Sequence, residues 1–195
     1  MNRKSIINVA GICAFTAFFC AAYGADTFTD SRDGKTYRAV TIGAQTWMAQ
    51  NLNYASDNSV CYDSSDANCA KYGRLYSWSA SRQACPAGWH LPTDAEWTTL
   101  TENVGGAATA GKKFKTKTGW YNNGNGTDEF GFSAYPGGDG HGGSFYDAGG
   151  NGYWWSATGH DHRRAWYRGM RCDFDGVGRG YDFKTGQFSV RCVQD

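Results

Sequence analysis

The chain has very little aliphatic material from which to build a core. Beyond residue 25 it holds four Leu, one Ile and six Val, against eight Trp, eleven Tyr and eight Phe. A fold made from this composition has to be packed with rings. Each ring buries a large area, and a buried Trp or Tyr also needs a partner for its N–H or O–H. Leu, Ile, Val and Phe together number 19 in this part of the chain, a content at which highly charged chains stay unfolded. Here charge does not oppose folding. Once Arg3 and Lys4 are set aside, 17 Lys and Arg stand against 18 Asp and Glu, a net charge of −1. Glycine gathers toward the C-terminus, with 18 of 27 between Gly119 and Gly186, and eleven aromatic residues lie between Phe145 and Phe188. Glycine lets the backbone turn tightly, and Tyr and Trp give contact area with few torsions to freeze. The last third therefore reads as loops and short strands that present a surface, which points to recognition before catalysis.

Residues 1–25 have the layout of a secretory signal. Arg3 and Lys4 precede an apolar run from Ile6 to Ala22, broken only by Asn8 and Thr16, and Ala22-Tyr23-Gly24 is a small-x-small cleavage site. Seventeen residues with two polar members are short for a membrane span. Cys13 follows Ile12 and Cys20 follows Phe19, so neither has the small preceding residue that lipidation needs. No later segment is apolar enough to cross a bilayer. Residues 26–195 suit one domain, secreted or held at the cell surface or outer envelope. The near-zero charge argues against nucleic acid as a main partner, since that needs a dominant basic face.

Five cysteines follow the signal: Cys61, Cys69, Cys85, Cys172 and Cys192. In an exported chain they are expected to form disulfides. Cys61 and Cys69 flank a polar loop and are placed to close it, and Cys85 with Cys192 would then tie the middle of the chain to its end. In the loop-entropy view the long bridge contributes about 4–5 kcal/mol and the short one about 2.5 kcal/mol. Cys172 is left over, as an inert buried thiol, an intermolecular link or an alternative partner in one of these pairs. There is no C-x-x-C pair and no repeated spacing, which argues against zinc.

Tyr37–Ile42 has strand composition, Gly43 turns the chain, and Gln45–Met48 returns, a hairpin. Asn68–Ala84 is predicted helical, with Tyr72, Leu75, Tyr76 and Ser79 on one face. Thr93 and Glu96 form a capping box, after which Trp97, Leu100 and Val104 recur at helical spacing until Gly105-Gly106 stops them. Ala107–Lys117 reads as a polar, basic connection. Short strands are predicted at Gly131–Tyr135, Gly152–Thr158, Ala165–Met170, Asp173–Val177 and Gln187–Val193, with Pro136–Gly143 as a long flexible loop. A hairpin, two helices and then strands give an α+β fold with helices set apart from a small antiparallel sheet.

Asp33-Gly34-Lys35-Thr36-Tyr37, Ile42-Gly43-x-Gln45-x-Trp47-Met48, Tyr72-Gly73-Arg74-Leu75-Tyr76-x-Trp78, Cys85-Pro86-x-Gly88-Trp89-His90-Leu91-Pro92, Gly131-Phe132-Ser133-Ala134, Tyr153-Trp154-Trp155-Ser156-Ala157 and the Phe188–Cys192 ending stand out as motifs. In their order, and over essentially the whole mature chain, these strings resemble the Fibrobacter succinogenes major paralogous domain. The family is similar in turn to the C-type lectin-like fold. Leu91-Pro92-Thr93-x-Ala95-Glu96-Trp97 and Arg191-Cys192 also resemble formylglycine-generating enzymes of that fold. The resemblance implies two helices packed on small antiparallel sheets with long Gly-rich loops, and it implies no established activity. Those enzymes hold copper with a close cysteine pair. Here Cys172 and Cys192 are twenty residues apart and Cys192 has a structural use, so no enzyme and no catalytic residue is expected. Lectins of this fold bind sugar through calcium with Glu-Pro-Asn or Gln-Pro-Asp and Trp-Asn-Asp, and neither pattern occurs. Asn122–Glu129 could cage a structural calcium with oxygens, or simply supply turns. No other cofactor is implied.

The sharpest candidate for a binding face is Gly159–Gly180, together with the Gly137–Asp147 loop. His160, Asp161, His162, Arg163, Arg164, Trp166, Arg168, Arg171, Asp173, Phe174, Asp175 and Arg179 are packed into it, and Arg, Trp and Tyr dominate binding hot spots. A pair of solvated hairpins is the plain alternative. His160 and His162 could share a strand face as metal ligands, but no third ligand is in view. Gly, His, Asp, Arg, Cys, Phe and Val all lie one or two adenine changes from an AAC codon. That pattern fits diversification of a lectin-like domain by a retroelement, as does ordinary divergence between paralogues. The expected function is adhesion or recognition of an extracellular protein or polysaccharide. A structural envelope protein without a ligand, or a lectin-like polysaccharide binder, is the rival.

Overall fold

The computed structural model describes residues 26–195; the secretory signal read at 1–25 lies outside them. Strand β2 (Thr36–Ile42) turns at Gly43 into β3 (Gln45–Met48), the hairpin read from composition. Tyr37 and Ala39 are buried on one face of β2, and Ile42, of opposite parity, is buried on the other. Strand β1 (Asp26–Thr29) pairs with the outer edge of β2, while β13 (Val193–Gln194) joins β3 to β6 (Trp89–His90), giving a five-stranded sheet in the order β1-β2-β3-β13-β6. A second sheet runs β11 (Gly178–Phe183), β10 (Arg164–Arg171), β9 (Asn151–Gly159), β12 (Gln187–Ser189), β5 (Leu75–Ser77) and β4 (Ser59–Val60). The hairpin of β7 (Asp139–His141) and β8 (Ser144–Tyr146) attaches to it through β12. Strands β12 and β9 run parallel, so the second sheet is mixed where an antiparallel one was expected, while the first is antiparallel throughout. Four helices, α1 (Asp66–Tyr72), α2 (Trp78–Ser81), α3 (Asp94–Glu102) and α4 (Ala107–Phe114), complete an α+β architecture.

Six predicted elements come out differently. The helix expected over Asn68–Ala84 is cut in two by β5, and Gly73 makes the cut. Its backbone turns at φ +76°, and a Cβ there would lie 2.8 Å from the Leu52 carbonyl oxygen and from Asn51 Cβ. Leu75 and Tyr76 then enter the sheet opposite Ser189 and Phe188. Ala107–Lys117 contains helix α4 instead of a connection. Pro136–Gly143 contributes β7 and is not a free loop. Asp173–Val177 is a loop that leads into β11, and the ending divides into β12 and β13, which belong to different sheets. Gly131–Tyr135 makes a single bridge, Ala134 to Lys115. The capping box at Thr93 forms as read, with Thr93 Oγ1 accepting from the Glu96 amide and the Glu96 carboxylate accepting from the Thr93 amide at 2.7 Å.

Two ring-filled cores result. Adjacent residues on a strand face opposite sides, and both Trp154 and Trp155 on β9 are fully buried. Trp154 enters the core with Trp47, Trp97, Phe114 and Phe132. Trp155 enters the other with Tyr76, Leu52, Phe188 and Val190. Each indole N–H is used: Trp154 Nε1 donates to Asn51 Oδ1 at 2.8 Å and Trp155 Nε1 to the Tyr76 carbonyl at 2.9 Å.

Between the sheets lies Arg191, with 0% exposure. Its Nε and Nη2 donate to Asn51 Oδ1 at 3.2 and 2.7 Å, Nη1 to the carbonyls of Met48 and Phe132, and Nη2 to that of Ser133 at 3.1 Å. A guanidinium has five N–H donors, and these five contacts use them. Burial pulls its pKa down to about 9, so it remains charged at neutral pH. Disulfides join Cys61 to Cys69 and Cys85 to Cys192, the pairing read from spacing, and Cys172 is a free, partly buried thiol.

Two stability outcomes follow from these anchors. Replacing Arg191 with Met removes five hydrogen bonds to four buried acceptors and is expected to lower the unfolding free energy by about 3–5 kcal/mol. Arg191→Lys is also expected to destabilise, because three donors cannot serve five contacts. Urea titration checks both, and an Arg191→Met protein within about 1 kcal/mol of the parent contradicts the assignment. The bridges close loops of separation 8 and 107. Removing Cys85 and Cys192 together is therefore expected to cost about 2 kcal/mol more than removing Cys61 and Cys69, measured by the same titration.

Candidate functional site

Strands β10 and β11 form a ribbon at the end of the second sheet, with Trp166 opposite Tyr181, Arg164 opposite Phe183 and Arg168 opposite Arg179. Strand alternation puts these residues on one face and Tyr167 and Asp182 on the other. On the first face the rings and cations interleave. Arg179 lies 3.4 Å above the centre of Trp166. His160 stands edge-on to Trp166 at 4.7 Å and stacks on Tyr181 at 4.1 Å, and Arg164 lies 4.6 Å over Tyr181.

The turn that leads into β10 is held by Asp161. Its Oδ1 accepts from the amides of Arg163 and Arg164, both at 2.8 Å, and its Oδ2 from Arg164 Nε at 2.7 Å. Arg164 first, and the backbone amides with it, hold the Asp161 carboxyl far below the usual range. His162 and Arg163 are exposed and take no side-chain hydrogen bond among the described residues. Arg168 is a scaffold residue, 3% exposed. It donates to the carboxylate of Asp94, to the Asp94 carbonyl at 2.9 Å and to Thr98 Oγ1 at 3.1 Å. Asp94 also accepts from Arg179 Nε at 3.0 Å. Burial works to raise the Asp94 pKa, but donation from Arg179 and Arg168 outweighs it and leaves it lowered. Asp94 went unnoticed in the sequence, although its place just inside a capping box is where a carboxylate meets the helix dipole.

Arg171, Asp173, Phe174 and Asp175 lie at the far end of β10, away from the Trp166 cluster. Arg171 and Asp173 pair at 2.7 Å on the surface. The loop is fixed from beneath by Lys115, fully buried, whose Nζ donates to the carbonyls of Arg171 and Phe174 at 3.0 Å each. Burial lowers the Lys115 pKa. Helix α4 supplies further support: the Lys112 amide donates to the Asp175 carbonyl at 2.7 Å, and Gly111 leaves no room for a Cβ, which would meet the Gly176 carbonyl oxygen at 2.2 Å. The Gly137–Asp147 stretch, grouped with this surface in the sequence, sits against the opposite face of the ribbon, beside Tyr153, Tyr167 and Asp182.

Some oxygens of Asn122–Glu129 have partners within the protein. The Asn125 carbonyl accepts from Lys112 Nζ at 2.9 Å, and the Asp128 carboxylate accepts from the Ser133 amide and hydroxyl at 2.7 and 2.8 Å. Among the described residues no group of three or more His, Cys, Asp or Glu stands close enough to hold a metal, and no helix is long and apolar enough to cross a membrane.

Asp94→Asn leaves Arg168 buried without its anion and is expected to cost about 3–5 kcal/mol at neutral pH. The Asp94 pKa is lower folded than unfolded, so its contribution is full above the unfolded value of 3.8 and fades as pH falls through the folded value. Urea titrations at neutral pH and well below pH 4 should show the gap between parent and variant shrinking in acid; a gap independent of pH would show that Asp94 acts otherwise.

Compared with curated proteins and with solved structures, the chain finds no match in either. The Fibrobacter succinogenes major domain family matches residues 40–194, a span that holds the ribbon, both disulfides and every buried residue of the two cores but Tyr37, and the chain belongs to that family.

Proposed function

We propose that the protein is an exported recognition module on a lectin-like platform, and that the Trp166 face of the ribbon, with the turns at its two ends, grips an extracellular protein. The observation that carries this is the exposure of Tyr181 (46%) and Phe183 (55%) on that face, amid guanidinium groups and over a base anchored by Arg168, Lys115 and Arg191. Exposed rings among arginines on rigid strands are the composition of a binding hot spot, and strand placement keeps the ordering cost of binding low.

The geometry favours a protein over a neutral sugar. Sugar stacking needs an open ring face, but Arg179 covers Trp166, while His160 and Arg164 lie over Tyr181. What remains are ring edges, the Phe183 ring and the outward N–H groups of Arg163 and Arg164, a set that complements carboxylates and apolar side chains. The exposed positions 162, 163, 171 and 173–175 lie in the two turns, where substitution leaves the cores untouched, and this suits a surface diversified between copies, by a retroelement or by ordinary divergence.

The test passes the parent protein and a Trp166→Ala, Phe183→Ala variant over immobilised envelope proteins of the producing cell and its neighbours, and over a glycan array. Saturable binding to a protein, lost in the variant at an unchanged melting temperature, is the expected result. Binding to neutral glycans that the variant loses would assign the face to a polysaccharide lectin. Absence of saturable binding on either surface would leave a structural envelope protein.

A further inference from the structure

On the reverse of the ribbon an open cavity of about 320 Å³ is lined by Tyr146, Tyr153, Tyr167 and Phe188, together with three carboxylates. Phe188 forms the floor. Tyr153 stacks against it at 5.3 Å, and Tyr167 stands edge-on to both Phe188 and Tyr153, at 5.1 and 5.6 Å. The planes of Tyr153 and Tyr167 meet at 90°, so the two phenol rings wall a corner. The β7–β8 hairpin brings Asp139 into that corner, and β11 brings Asp182.

Asp139 is out of place for an ordinary acidic residue. Its side chain is 10% exposed, and His141 Nε2, 3.2 Å from Oδ2, makes no aligned hydrogen bond with it. Neither carboxylate oxygen accepts a hydrogen bond from any described residue. Burial pushes the Asp139 pKa up to about 6; His141 works against that rise, and Asp147 and Asp182 add to it. Asp147 is occupied, accepting from Asn151 Nδ2 at 2.7 Å and Tyr153 Oη at 3.2 Å. His141 is 3.8 Å from Asp182 as well, so even a protonated imidazole would be one positive charge shared between two carboxylates, with Asp147 beside them. The corner is short of positive charge.

A buried carboxylate lacking a donor is costly, and here it stands among rings. Rings attract a cation through their quadrupole, and a nearby anion adds charge, the combination by which aromatic cages hold ammonium ions. A hard metal ion would need six or more oxygens close around it, and rings supply few. We propose that this corner binds an organic ammonium group, a lysine-type amine or its methylated form, between Tyr153 and Tyr167 and against Asp139 and Asp182. The site lies on the opposite side of the ribbon from the surface proposed above and goes beyond that reading, so either can fail alone.

The probes are Nα-acetyl-lysine methylamide, its Nε-trimethyl form and the neutral isostere Nα-acetyl-norleucine methylamide, titrated into the disulfide-bonded protein with calorimetry or tyrosine chemical shifts as readout. At least one cation is expected to saturate at millimolar concentration while the isostere does not. The stronger of the two cations identifies a free amine or a methylated one as the source. Asp139→Asn is expected to weaken binding about tenfold or more, and Trp166→Ala to bind as the parent does. Asp139 has a higher pKa folded than unfolded, so its ionisation disfavours the fold above about pH 6. The Asn variant should therefore melt no lower than the parent at neutral pH, which separates lost binding from lost folding. Asp182→Asn, nearer the rim, repeats the test should the first variant fold poorly. The proposal is overturned if neither cation saturates, if the norleucine probe binds as well as the cations, or if both Asp variants keep the parent affinity.

Discussion

Arg191 places a positive charge where no anion touches it; Asp128, which works to hold its pKa up, stands beyond Ser133. The partners of its five donors are neutral oxygens, from Asn51, Met48, Phe132 and Ser133. Such a charge is expensive to bury, and it is tolerated because every donor is used and because the Phe132 ring lies 4.5 Å away. The return is connectivity. Met48 ends β3, Phe132 and Ser133 belong to the long excursion between α4 and β7, and Asn51 also receives Trp154 from β9 and donates to the Tyr72 carbonyl. One side chain thus joins both sheets to the longest irregular segment. Its neighbour Cys192 holds the same point to Cys85.

The same device recurs under the ribbon. Lys115 gathers the carbonyls of Arg171 and Phe174, and Lys113 and Lys112 reach those of Val104 and Asn125. Arg168 differs in having an anion, Asp94, which fastens the start of α3 to β10. In a chain short of aliphatic side chains, loops cannot be held by packing alone. Cationic donors directed at loop carbonyls supply the missing constraint, and each removes a backbone acceptor that would otherwise be buried without a partner. The glycine-rich turns are therefore fixed from below while their upper surfaces stay open, an arrangement that limits the entropy lost when a partner docks.

Local signals made part of this legible. The β2–β3 hairpin follows from strand composition on either side of Gly43, α3 from its capping box and the spacing of Trp97, Leu100 and Val104, and the two disulfides from the polar loop between Cys61 and Cys69 and the pairing this leaves for Cys85 and Cys192. The failures share one cause, which is that distant residues decide. Phe132 and Ser133 have strand composition, but their carbonyls face Arg191, more than fifty residues away. Leu75 and Tyr76 fit a helix face, yet Phe188 pairs them into a sheet. Helix α4 has no side-chain cap and a glycine in its middle, and its N-terminal turn is held by the loop before β11: the Val177 amide donates to the Ala107 carbonyl. At the site, the segment rich in Arg and Asp was visible, but which arginine is buried was not. Alternation puts Arg164, Trp166 and Arg168 on one face, and only the arrival of Asp94 makes Arg168 an inside residue.

The ribbon divides charge between its faces, and this bears on what either face can bind. On the Trp166 side each carboxylate has a guanidinium: Asp161 with Arg164, and Asp94 with Arg168 and Arg179. These pairs cancel part of the field, but Asp94 answers two guanidinium groups and Arg163 is exposed with no carboxylate partner among the described residues, so a positive excess remains beside the rings. On the reverse, Asp139 and Asp182 share a single imidazole, so a field remains, sharpened by the low polarity of the surrounding rings. A contact surface whose positive charge is spread over several arginines tolerates substitution in its rim, because no single charge governs it. A charged corner does not, since changing Asp139 changes the sign-dependent part of its attraction at once. The alternation of a β-strand thus separates the two faces of one ribbon, and it keeps the contact surface and the cation corner proposed for them apart.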